Sequence, residues 1–119
     1  MQYMLLIYNQ EKAWETMSEA DRGKHFAAYM QFTQDIKASK HYIAGDALQP
    51  VHTATSVRVR DGKTQSTDGP FAETREQLGG YYLIDAKDLD EATKIAARIP
   101  DAAIGSGVIE IRPVMNFDK

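Results

Sequence analysis

Apolar and polar positions follow two periods along this chain. In "YMLLIY", Tyr3 to Tyr8, Tyr3, Leu5 and Ile7 fall on one face of an extended segment and Met4, Leu6 and Tyr8 on the other. A strand buried on both sides is predicted. From about Glu19 to Ala38 the spacing becomes helical: His25, Tyr29, Phe32 and Ile36 share one side, and Phe26, Met30 and Thr33 widen the stripe. Ser18 is placed to cap this helix, with Asp21 at the capping-box position that Glu more often holds.

"HYIAGDAL", His41 to Leu48, is a second strand closed by Pro50, with Gly45 as a bulge or a point of close approach. "TSVRVRDGKTQST" alternates Val57 and Val59 with Ser56, Arg58 and Arg60 around an Asp61-Gly62 turn, which predicts a β-hairpin. "GYYLIDA", Gly80 to Ala86, is apolar on both faces and reads as a further central strand. Asp88 as cap and Glu91 at the third position open a helix whose stripe is Leu89, Ala92, Ile95, Ala96 and Ile99, ended by Pro100. "IGSG", Ile104 to Gly107, leads to a last strand, "VIEIRPV".

The order of elements fits an α+β fold, a ferredoxin-like split βαβ sandwich in which an antiparallel sheet carries two helices on one face. The other face would leave Met4, Leu6 and Tyr8, or the alternate set, in water beside one side of Tyr81 to Ile84. Monomers rarely tolerate such a patch, so a two-fold homodimer joined through its sheet faces is expected, with roughly 800 Å² buried per partner.

At 119 residues, 43% hydrophobic and 26% charged, the chain is expected to form one soluble domain, 1–119, with a packed core. It contains no Cys, which removes disulfides, thiol nucleophiles and thiolate metal sites and suits a reducing, cytoplasmic setting. Seven basic and six acidic residues lie up to Arg60, and seven and eleven from Asp61 onward, giving the net charge of −3 without any basic cluster. Nucleic acid is not an expected partner. The start "MQYMLLIYNQEK" lacks a basic leader and no apolar run reaches bilayer length, so neither signal peptide nor membrane contact is expected.

The stretch "DGPFAETREQLGG", residues 68 to 80, is long for a connection between paired strands, and such loops often bind ligands. Asp68-Gly69-Pro70 forms a turn, Phe71 is placed to anchor the loop, and Glu73, Arg75 and Glu76 are either one helical turn or a solvated cluster. The loop is expected to border a cavity between sheet and helices. His25, on the buried side of the long helix, is either a satisfied core histidine or a proton carrier. Asp21, one turn earlier, is positioned either to orient His25 or to serve the helix terminus, and Asp46 beside Gly45 is a second candidate partner. His41 and His52 read as surface or strand-end residues. Arg58 is either solvent-facing or, if buried, a partner for a loop carboxylate or for an anionic or phenolic ligand. No His pair or Ca²⁺-loop pattern supports a metal site, and neither a phosphate-cradling Gly motif nor a nucleophile elbow is present. Cofactor-free chemistry or simple binding remains.

"YMLLIY", "GDALQP", "TSVRVRDG", "TDGPFAETREQLGGYYLID", "AARIP" and "EIRPV" together resemble the DGPF branch of the YCII-related proteins over nearly the whole chain. The resemblance implies a dimeric α/β barrel in which two ferredoxin-like sheets meet. Some relatives stand beside or are fused to extracytoplasmic-function sigma factors. Others include a dechlorinating lyase with a His-Asp pair proposed as its acid/base apparatus, the His lying on the first helix. The only His on that helix here is His25. Two functions follow. One is an acid/base enzyme, lyase or isomerase, on an aromatic or enolisable compound, with His25 as shuttle, Asp46, Asp68 or Glu73 as partner, and Arg58, Asp68, Phe71 and Glu73 binding substrate. The other is a non-catalytic ligand-sensing or transcription-associated module.

Overall fold

β1 (Gln2–Asn9) is the spine of the protein. In the computed structural model, which describes residues 1–117, it pairs antiparallel with β5 (Gln77–Asp85) on one side and β6 (Val108–Pro113) on the other. β2 (Tyr42–Ala47) pairs with the outer edge of β5, giving the order β2-β5-β1-β6. The sheet is antiparallel throughout, and with the intervening helices the chain is an α+β protein compatible with a ferredoxin-like fold.

Register decides which side of each strand meets the helices. Leu5 lies opposite Tyr82 and Ile111, Tyr3 opposite Ile84, and these side chains pack with Phe32 and Ile36 of α2 (Glu19–Ala38) and with Ala92, Ile95 and Ala96 of α3 (Leu89–Ala96). Both long helices therefore cover the same face. Leu5, Ile36, Ile84 and Ile99 are fully buried, and each such side chain contributes about 1.5–3 kcal/mol through water exclusion. Burial of β1 on both sides does not occur within one chain. Met4, Leu6 and Tyr8, opposite Leu83, Tyr81 and Leu78, stay half-exposed because all the helices that could cover them lie on the far side.

Local signals place the remaining elements. Ser18 Oγ accepts the Asp21 N–H at 3.1 Å and starts α2. Asp88 likewise accepts the Glu91 N–H at 2.9 Å and starts α3. Asp61 and Gly62, with φ of 52° and 75°, turn β3 (Thr55–Arg60) into β4 (Lys63–Asp68), as a primed two-residue turn requires. Two short helices were not legible. α1 (Glu11–Thr16) has no side-chain cap and is held instead by tertiary bonds: the Glu11 N–H donates to Gln77 Oε1 at 3.1 Å, and Glu11 Oε2 accepts the Val51 N–H at 3.0 Å. α4 (Pro100–Ala103) begins where the sequence pattern ends a helix, with Pro100 as its first residue.

The hairpin stands off the main sheet. Val57 and Val59 are 62% and 61% exposed, and the radius of gyration, 16.3 Å, exceeds the value of about 13.5 Å typical of this chain length. β3 and β4 pair with each other and not with the four-stranded sheet.

Candidate functional site

A cavity of about 670 Å³ lies between α2, α1 and the β2–β5 edge of the sheet. Its floor includes Gly45, Gly80 and Tyr82, one wall is α2 from His25 to Lys37, and Trp14 of α1 closes one end. Strand β2 approaches so closely that a Cβ at Gly45 would lie 2.6 Å from the Tyr82 ring, and this glycine is what lets the wall form.

Titratable side chains converge at the Trp14 end. His25 and Tyr29 are four residues apart on α2 and so face the same way. Asp101, the second residue of α4, meets both. Its Oδ1 lies 3.5 Å from His25 Nε2 and accepts from Asn9 Nδ2 at 3.2 Å, while its Oδ2 accepts from the Tyr29 hydroxyl. The His25 and Asp101 side chains are 15% and 13% exposed. The imidazole is held between aromatic rings, 5.9 Å from Trp14 and 5.2 Å from Tyr29 between centroids.

The electrostatics follow from these neighbours. Burial, then the hydrogen bond to Asp101 and that group's negative charge, push the Tyr29 phenol well above its ordinary range. It stays a donor, holding Asp101 in place. With Nε2 turned to a carboxylate, the favoured tautomer has its proton there, and Nδ1 is the ring atom left to accept a proton from a ligand. The 3.5 Å separation is long for a hydrogen bond.

The residues singled out from sequence are distributed unevenly around this cavity. His25 and Asp46 both border it. Asp46, however, directs its carboxylate to the Tyr81 hydroxyl at 3.0 Å. Tyr81 lies opposite Leu6, on the sheet face turned away from the helices, so Asp46 and His25 do not form a pair. The Asp21 side chain makes no bond to His25, and Asp21 sits in the first, acidic turn of α2. Of the 68 to 80 stretch only Gly79 and Gly80 reach the cavity. Asp68 ends β4, Glu73 is exposed, and Phe71, 83% exposed, is not buried as an anchor among the described residues. Arg58 is exposed on the hairpin, without an ion pair among the described residues. His41 is partnered, its Nδ1 2.7 Å from Ser39 Oγ and its Nε2 3.2 Å from Glu91 Oε1.

Asp101, Asn9 and Trp14 were not anticipated. The pattern "IPDAA" held a usable signal for the first of these, because Pro followed by an acidic residue marks a helix start as well as a helix end. Among the described residues, no three His, Asp or Glu side chains are grouped as metal ligands, and no helix is long and apolar enough to cross a membrane.

The fold and the site thus define an α+β protein with an aromatic-walled cavity that holds a His-Asp-Tyr cluster at one end. The family model of the YCII-related domain matches residues 1–118. An uncharacterized protein of Rhizobium meliloti (strain 1021) is 35% identical over 121 residues, covering 96% of this chain and 92% of its own length. The chain belongs to the YCII-related family.

Proposed function

We propose that the cavity between α2 and the β2–β5 edge binds a small aromatic or enolisable molecule and that His25 moves a proton on it, oriented by Asp101. The observation that carries this reading is the convergence of Asn9, Tyr29 and His25 on one shielded carboxylate at the Trp14 end of the hollow. A base oriented by a carboxylate that is itself fixed by two donors is an arrangement suited to proton transfer next to a carbonyl or phenol. Asp101 takes the partner role that sequence spacing suggested for Asp46.

The half-exposed sheet face supports a second part of the proposal, a homodimer. Met4, Leu6, Tyr8, Tyr81 and Leu83 form an apolar layer with no helix over it. A second copy is self-complementary to that layer under two-fold symmetry, and two sheets so joined make a dimeric α/β barrel. Each cavity opens on the helix side of its own sheet, so pairing through the outer faces leaves both accessible.

The test is deuterium incorporation from heavy water, followed by proton NMR, into a panel of β-keto acids, aryl ketones and hydroquinones. The proposal expects exchange at an enolisable or ring carbon of at least one compound, reduced about 100-fold or more by His25→Gln and by Asp101→Asn in folded protein. Binding without exchange would favour a ligand-sensing module. No binding by any compound would contradict the reading.

A further inference from the structure

The cavity is electrically lopsided, and that asymmetry selects a ligand class. This inference rests on the reading of the cavity as the ligand site and adds what enters it. Among the described residues Lys37 is the only Lys or Arg along the wall, twelve residues beyond His25 on α2, which places the two Cα atoms about 18 Å apart. Its Nζ lies 4.7 Å from the centroid of the Tyr42 ring, and no carboxylate pairs with it among the described residues. An ammonium over an aromatic face keeps donors free for an anion.

The negative groups lie elsewhere. Glu11 accepts the Val51 N–H, and Asp101 accepts from Asn9 and Tyr29. Glu15 follows Trp14 in α1, at the His25 end, and Asp46 is turned to Tyr81 on the other sheet face. An anion entering at the His25 end meets Asp101 and Glu15, whereas at the far end it meets Lys37. Between the ends, Met30, Phe26 and the ring of Tyr82 supply apolar surface beside the uncharged polar Thr33 and Gln34. Phe26 and Met30 are 65% and 51% exposed, so filling the cavity removes apolar surface from water.

We propose that the cavity takes an amphipathic carboxylic acid. Its carboxylate pairs with Lys37, its aryl or alkyl body lies along Met30 and Tyr82, and its distal end reaches His25. Allowing for the reach of both side chains, the body is roughly 10 Å long. Proton transfer then occurs at the end remote from the anion, where His25 Nδ1 is available.

Trp14 is the only Trp in the chain and stands against His25, so its fluorescence reports occupancy of the distal end. The experiment titrates the full chain with 4-phenylbutyrate, 4-phenylbutyramide and 4-phenylbutylamine. The expected result is saturable change with all three, the acid binding about tenfold more tightly than the amide and the amine most weakly. Lys37→Met should abolish the preference for the acid over the amide, and Lys37→Arg should keep it. Equal affinity for acid and amide, tighter binding of the amine, or a preference that survives Lys37→Met overturns the assignment of an anionic ligand and leaves the cavity standing as a site. No response to any of the three overturns the cavity reading and this inference together.

Discussion

Replacing Gly45 by Ala inserts one methyl group where β2 crosses the ring of Tyr82. An ideal Cβ would lie 2.6 Å from Cδ1 and 3.0 Å from Cε1 of that ring, and 3.1 Å from the Tyr81 carbonyl oxygen. The ring has little room to yield. It is 8% exposed, meets Phe32 edge-on at 5.2 Å and Tyr42 at 6.3 Å, and its hydroxyl is 2.7 Å from Thr33 Oγ1. Either the ring leaves the core or β2 lifts from β5. Overpacking of this kind costs about 1–3 kcal/mol, set against a gain of about 0.5–1 kcal/mol that Gly→Ala brings where space and dihedral angles permit. The net loss should lower Tm by about 3–10 °C for a domain of this size. Gly23→Ala is the control, since a Cβ there, in the second turn of α2, meets nothing within 4 Å, and it should raise Tm by about 2–4 °C. Thermal unfolding followed by circular dichroism reads both variants. If Gly45→Ala left Tm unchanged or raised it, the packing of β2 on Tyr82, and with it the floor of the cavity, would be wrong.

Other outcomes follow from the same contacts. The Lys87 N–H and, secondarily, His41 hold the Glu91 carboxyl below its ordinary range, so its stabilisation is present above that range and lost as pH falls through the depressed value. Glu91→Gln should therefore lower the urea midpoint at neutral pH, and the difference from wild type should close in acid. Tyr29 is shifted upward, mainly by burial and then by Asp101, so stability it confers below the usual phenol range fades as pH rises beyond it. Tyr29→Phe should flatten the alkaline loss between about pH 9 and about pH 11, read by chemical denaturation. Ile36→Ala empties a fully buried position under α2 and should cost about 2–5 kcal/mol in the same assay. Sedimentation at micromolar concentration should give a dimer that Leu83→Glu converts to monomer, and a monomeric wild type would remove the sheet-face pairing.

Periodicity conveyed what burial dictates. The limits of α2 and the Asp61-Gly62 turn follow from local capping and turn chemistry, and the structure places them at the expected residues. Gly45 was readable as a close approach because only a missing Cβ fits against Tyr82. α1 escaped because its supports, Gln77 and Val51, are distant in sequence. Asp101 escaped for a related reason: its value lies in meeting His25, seventy-six positions away, and no local pattern records such a meeting. The long "DGPF" stretch drew attention by composition and length, yet within the chain it contributes only Gly79 and Gly80 to the cavity. Tyr81, which pairs with Leu6 on the outer face, carried Asp46 away from His25, a consequence of strand register that spacing alone does not disclose.

The most direct measurement is a map of backbone amide shift changes in labelled protein as 4-phenylbutyrate is added. A working site under α2 predicts that the largest changes fall at His25, Tyr29, Thr33, Lys37, Gly45, Gly80 and Asp101 and saturate together. Changes that saturate on the hairpin or on the outer sheet face, with His25 and Asp101 silent, would contradict it.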